Sequence, residues 1–153
     1  MKPVERGQLW VMWIKALATG VLLLVAGSLA EPELLQRTDL PAGALLAPLA
    51  FLLVYPMFLA PYRRYRALGY ALDQDELRTA RGTWTRRETV VPLVRVQHID
   101  VVQGPLERLF GVTRLVLHTA GTLNSLVVQP GLARATAEAL RDEIRTRIRQ
   151  EQA

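Results

Sequence analysis

Two long apolar runs decide most of what this chain can become. Leu9–Ala30 reads LWVMWIKALATGVLLLVAGSLA, and Leu40–Ala60 reads LPAGALLAPLAFLLVYPMFLA. Each is close to the ~20 residues an α-helix needs to cross ~30 Å of hydrocarbon. Backbone in lipid must satisfy its own hydrogen bonds, so both runs are expected as spanning helices. The first carries one charge, Lys15, close enough to the polar N-terminus to snorkel, with Trp10 and Trp13 at the interface. In the second, Pro41 and Pro56 lie towards the two ends, and Pro48 falls in the middle, where it predicts a kink. The segment EPELLQRTD between the runs predicts a short hairpin connection.

Charge sets the orientation. Directly after the second run comes YRRYR, with Arg63, Arg64 and Arg66 inside the window where basic residues hold a loop in the cytosol. The expected arrangement is a multi-pass membrane protein with both termini cytosolic. A cleaved signal peptide is the rival reading, because Lys2 and Arg6 precede the apolar stretch and Ser28-Leu29-Ala30 offers small residues in cleavage-like spacing. Trp10, Trp13 and Lys15 interrupt that layout, and the arginine cluster keeps the carboxyl half cytosolic under either reading.

Up to Pro61, Lys2, Arg6, Lys15 and Arg37 are balanced by Glu5, Glu31, Glu33 and Asp39; beyond it fifteen arginines face ten acids, so the net charge of +5 belongs to the second part. The chain therefore divides into a two-helix transmembrane hairpin, residues 1–61, and a cytosolic domain, residues 62–153. With no cysteine, disulfides, thiolate metal ligands and a cysteine nucleophile are excluded.

Within the second part, short β-like runs alternate with turn signals. Leu68–Leu72 and Glu76–Arg81 flank Asp73-Gln74-Asp75, and Gly82-Thr83 predicts a tight turn. Thr85–Leu93 and Val96–Gln103 follow, Pro92 marking an edge or a strand end. PLERLFG reads as one helical turn, with Leu106, Leu109 and Phe110 on one side to plug the sheet and Gly111 ending it. Thr113–Thr119 and Asn124–Gln129 predict a hairpin around Ala120-Gly121-Thr122, and Pro130-Gly131 is expected to end the sheet. From Leu132 to Arg149, Thr136, Leu140, Ile144 and Ile148 recur at helical spacing beside Ala133 and Ala137, opposite an arginine-rich face. The expected fold is an antiparallel β-sandwich or open barrel capped by a C-terminal α-helix.

The residues themselves resemble a known family. YRRYRALGYALDQDELRTARG, then RVQHIDVVQGPLERLFGV, then LVLHTAG at Leu115–Gly121, is similar to the bacterial pleckstrin-homology (PH) domain of the membrane-anchored, YdbS-like group. The most distinctive block runs through Gln97, Asp100, Gln103, Gly104, Pro105, Leu106, Glu107, Arg108 and Gly111, taken as structural. The helix start departs from the pattern, because Leu132 is followed by Ala133-Arg134-Ala135, which offers no good N-cap. The resemblance implies a PH-like fold, membrane attachment, self-association and pairing with a larger PH-domain membrane protein. It implies no enzyme.

Nothing in the composition calls for chemistry. His98 and His118 are the only histidines, with Asp100 two residues beyond His98, too few ligands for a typical metal site. Ser28 and Ser125 are the only serines, and neither sits in a nucleophile elbow. Glu107 beside Arg108 reads as a solvated or salt-bridged turn rather than half of a carboxylate pair with Asp100. No glycine-rich phosphate loop or aromatic-interleaved basic stretch suggests a nucleotide or nucleic acid. No catalytic, cofactor-binding or metal residue is assigned and no cofactor is expected. Partners are membrane lipids and other proteins. The leading expectation is a non-catalytic interaction or scaffold module at the cytosolic membrane face. The alternative is a sensor of anionic headgroups that uses Arg63, Arg64, Arg66, Arg86 and Arg87.

Overall fold

The computed structural model describes residues 1–36, 41, 43–120 and 126–151. Gly121 and Thr122 of the expected turn, Asn124 and Ser125 at the expected strand start, and residues 37–40, from the expected connection to the first residue of the second apolar run, lie outside the described residues. Two compact units emerge, Met12–Arg63 and a second one made of Met1–Val11 with Arg64–Ala153.

The first unit is a helical hairpin. Helix α1 spans Gly7–Leu35; α2 spans Leu46–Val54, continues through a π-helical turn at Tyr55–Leu59 and passes into α3 at Ala60–Ala67. Gly7–Leu35 and the run Leu46–Ala67 are both long and apolar enough to cross a membrane. Only 11% of each apolar window is buried, whereas a core helix of the same composition in a water-soluble fold would be mostly covered. Leu29, Phe51 and Leu52 are among the most exposed side chains. Small residues set the packing: a Cβ at Gly20 would collide with Met57, and one at Gly27 would lie 2.9 Å from Leu49.

Two expectations for this unit are corrected. Helix α1 runs on through Glu31–Leu35, with Pro32 inside it, where the sequence reads as a loop. Its buried Glu31 carboxylate accepts hydrogen bonds from the amides of Leu45, at 3.1 Å, and Leu46, at 3.4 Å. The first free N–H groups of α2 thus find an acceptor that neighbouring residues do not supply. Because α2 starts at Leu46, Pro48 lies in its first turn, where a missing N–H costs little; the irregular stretch is instead the π turn containing Pro56.

The second unit contains two antiparallel sheets with a short helix and a long one. One sheet has the order β1-β2-β3-β4, from Lys2–Pro3, Gly69–Leu72, Glu76–Arg81 and Arg87–Pro92. The other is β5-β6-β7, from Val96–Val102, Val112–Thr119 and Leu126–Ala133. A short helix, α4 at Pro105–Leu109, joins β5 to β6, and α5 at Arg134–Glu151 follows β7. The sheets do not close into a barrel. Leu77, Leu93, Leu115, Leu117 and Leu132 are fully buried between them, and α5 covers the core with Ala137, Leu140 and Ile144. This is the PH-like sandwich with a C-terminal helix that the sequence predicts.

The boundary between the units is corrected. Residues 1–61 do not all belong to the hairpin: Lys2 and Pro3 pair with Tyr70 and Gly69, and the Glu5 amide donates to the Gly131 carbonyl at 2.8 Å. Val4 and Val11 are buried. Nor does Pro130-Gly131 end the sheet. Strand β7 continues to Ala133 because Gly131 adopts φ +78°, where a Cβ would lie 3.0 Å from Val4 and Gln8. In α5 the buried face starts at Ala137, and Thr136 points to solvent. In the PLERLFG turn Leu109 is exposed, so it does not plug the sheet; the buried side chain there is Glu107.

Candidate functional site

The family-like block is a structural latch. Gln103 Nε2 donates to the Val112 carbonyl at 2.9 Å and so ties the end of β5 to the start of β6. Pro105 occupies the first turn of α4, and the Gly104 amide donates to Glu107 Oε2 at 2.7 Å. Glu107 is 3% exposed, and its other oxygen lies 2.9 Å from Arg114 Nε, an ionic contact at the protein rim rather than an aligned hydrogen bond. Gly111, at φ +66°, turns the chain into β6. Gln97 and Arg108 are exposed and Leu106 is half-buried. A carboxylate fully occupied by an amide and a guanidinium is poorly placed to transfer protons.

Asp100 meets a histidine across the sheet. His98 and His118 face each other in register with ring centroids 6.4 Å apart, and His118 Nε2 lies 3.1 Å from Asp100 Oδ2. Among the described residues, no three His, Cys, Asp or Glu side chains are grouped to hold a metal ion.

Two open features remain on the second unit. The first is a cavity of about 410 Å³ at the β1 side of the four-stranded sheet. Of the five arginines anticipated for anionic contact, Arg66 and Arg86 line it; Arg63, Arg64 and Arg87 do not. Lys2, carried in by the pairing of β1 with β2, and Trp84, on the turn after β3, complete its polar and aromatic lining. Lys2 escapes a sequence reading because its pairing partner, Tyr70, lies far from it along the chain, and Trp84 because one aromatic in a turn has no pattern.

The second feature is a groove of about 680 Å³ between β5 and α5, lined by Val94, Val96, His98, Ile99, Arg145 and Arg149, among others. Strand β5 pairs with β6 on one side; among the described residues no strand pairs with its other side. Arg145 and Arg149 are exposed, while three other arginines of α5 are engaged by acids: Arg134 by Glu138, Arg141 by Asp142 and Arg147 by Glu143. The hydrogen bond from Arg141 holds the Asp142 carboxyl below its ordinary range. On the first sheet, burial and the nearby Glu5 carboxylate push the Tyr70 phenol up.

An antiparallel two-sheet sandwich with a C-terminal helix, joined to two apolar helices, defines a membrane-associated PH-like module. The chain belongs to the bacterial PH domain family, whose sequence model matches residues 13–148. It is similar, at 32% identity over 91 residues, to the transmembrane protein YdbS of Bacillus subtilis (strain 168), over 60% of this chain and 55% of that protein. The chain thus spans about half the length of the curated relative it matches. No solved structure matches it.

Proposed function

We propose that this chain is a non-catalytic docking module, anchored by two spans with both termini on the cytosolic side of a bacterial plasma membrane. In this reading it receives an extended, acidic segment of a partner chain along the open side of β5. The carrying observation is the groove beside that strand: a side of β5 with no partner strand among the described residues, an apolar wall from Val94 and Ile99, and the exposed Arg145 and Arg149 of α5. An added strand would gain main-chain hydrogen bonds from β5, and its acidic side chains would meet Arg145 and Arg149. The common sidedness of the termini is supported by the pairing of Lys2–Pro3 with Gly69–Tyr70, which an even number of crossings permits. The YdbS relative is by its own name a transmembrane protein, in keeping with the anchor.

A photo-crosslinking residue at Val94 or His98 of the full chain in its native membrane tests the reading. The expected result is a discrete adduct, lost when Arg145→Glu and Arg149→Glu are added, and absent when the probe sits at Thr146. A β5 adduct indifferent to the charge reversal, or none at all, contradicts it. A partner that proves to be a second copy of the chain supports self-association as the form of docking.

A further inference from the structure

The cavity beside β1 plays no part in the docking reading, and its lining has its own chemistry. Three segments distant in sequence converge there: Lys2 on β1, Arg66 in the last turn of α3, and Arg86 after the turn that follows β3. Among the described residues no acidic side chain lines it. Arg86 Nη2 lies 3.7 Å from the Met1 sulfur, a weak and uncharged acceptor. The cavity volume lies in the range of small-ligand sites. Gly82, at φ +136°, sets the turn: a Cβ there would run into the Thr85 carbonyl, so only glycine lets the chain fold back to bring Trp84 and Arg86 to the rim.

We infer that this cavity receives the phosphate of an anionic lipid headgroup, with Lys2, Arg66 and Arg86 supplying the donors and Trp84 reaching into the headgroup layer. Lipid is favoured over a free phosphate by two observations. Trp84 is 77% exposed, a costly position in water for a large aromatic but a favourable one at a membrane interface. Arg66 follows Ala60, the last residue of the second apolar run, by only six residues in sequence. The leaflet is therefore the nearest store of phosphate groups.

The test uses the full chain with Trp10→Phe and Trp13→Phe, which leaves Trp84 as the only tryptophan, in nanodiscs of phosphatidylcholine alone or mixed with phosphatidylglycerol. Trp84 emission is expected to shift to the blue, and to be quenched by headgroup-labelled phosphatidylglycerol, only in the anionic discs. Adding Lys2→Gln and Arg86→Gln removes two cations, a loss of roughly 30-fold in affinity at about a decade per 1.4 kcal/mol, enough to abolish the shift. Arg86→Lys retains the charge and is expected to retain the shift. Arg145→Glu with Arg149→Glu, in the β5 groove, is expected to leave it unchanged, so failure here is separable from failure of the docking reading. Identical emission in both kinds of disc, or a shift that survives the double glutamine change, overturns the inference. So does an equal shift produced in phosphatidylcholine discs by inorganic phosphate or glycerol phosphate.

Discussion

Replacing Glu107 separates a structural latch from a chemical site. Its Oε2 accepts the Gly104 amide at 2.7 Å, and the side chain is 3% exposed. A hydrogen bond to a buried charged acceptor contributes about 1.5–3 kcal/mol. The Arg114 contact adds less than about 1 kcal/mol, because that guanidinium is 38% exposed and solvent screens the pair. Truncation also removes packed methylene, at about 0.8 kcal/mol for each CH₂. Glu107→Ala is therefore expected to destabilise the PH-like domain by about 3–5 kcal/mol. Glu107→Gln keeps the volume and one acceptor oxygen for the Gly104 amide, loses the charge and the second acceptor that faces Arg114, and is expected to cost about 1–2 kcal/mol. Pulse proteolysis of the full chain in mild detergent over a urea series reads both, through cleavage in the domain rather than in the apolar helices. If the two variants lie within about 0.5 kcal/mol of the parent, or the glutamine is as damaging as the alanine, the latch account is refuted.

Three further outcomes follow from the same geometry. Gly131→Ala forces a Cβ to 3.0 Å from Val4 at φ +78° and is expected to cost about 1–3 kcal/mol; hydrogen exchange at the Glu5 amide should accelerate, and unchanged protection there would mean the N-terminal segment is not held as described. Glu31→Ala removes the acceptor for the Leu45 and Leu46 amides and should weaken the helical hairpin by about 1–2 kcal/mol, with Glu31→Gln milder, measured by unfolding in detergent; equal effects would contradict a capping role. Because the folded state raises the Tyr70 pKa, the native protein holds a proton that the unfolded chain releases first, so this contribution is complete below the unfolded value of about 10 and is lost as pH rises through the folded value. Alkaline melts of Tyr70→Phe should show a shallower loss of stability than the parent, and parallel curves would count against the shift.

The sequence-legible parts of this fold are those whose signal is local. Glu76–Arg81 has the same bounds as the strand read from its turn-flanked run, and β4 to β6 fall close to their Thr- and Val-rich stretches. What stayed hidden depends on distance or on small angles. Strand β1 is two residues long, and no period exists in Lys2–Pro3 to announce it. Positions four apart on a helix drift by about 40° at each step, so the row Thr136, Leu140, Ile144, Ile148 cannot keep all four members inward: Leu140 and Ile144 face the core, Thr136 falls outside it, and Ala137 takes the inner place there. Glu31 and Glu33 read as a loop because acids rarely sit at the end of an apolar helix; the use of Glu31 as an acceptor for the next helix is a tertiary fact. At the basic cavity, Arg66 and Arg86 were anticipated from charge alone, while Lys2 and Trp84 reach it only through strand pairing and a glycine-dependent turn.

The anchor and its sidedness are the claim on which the rest stands, and a chain without cysteine offers a clean background for testing them. One cysteine at a time is placed at Glu33, between the apolar runs, or at Thr146 on the exposed face of α5, and intact cells are treated with a membrane-impermeant maleimide. Labelling of Glu33→Cys from outside, with Thr146→Cys labelled only after the membrane is opened, is the predicted result. Outside labelling at Thr146, or recovery of the chain in the soluble fraction after an alkaline carbonate wash, would contradict it.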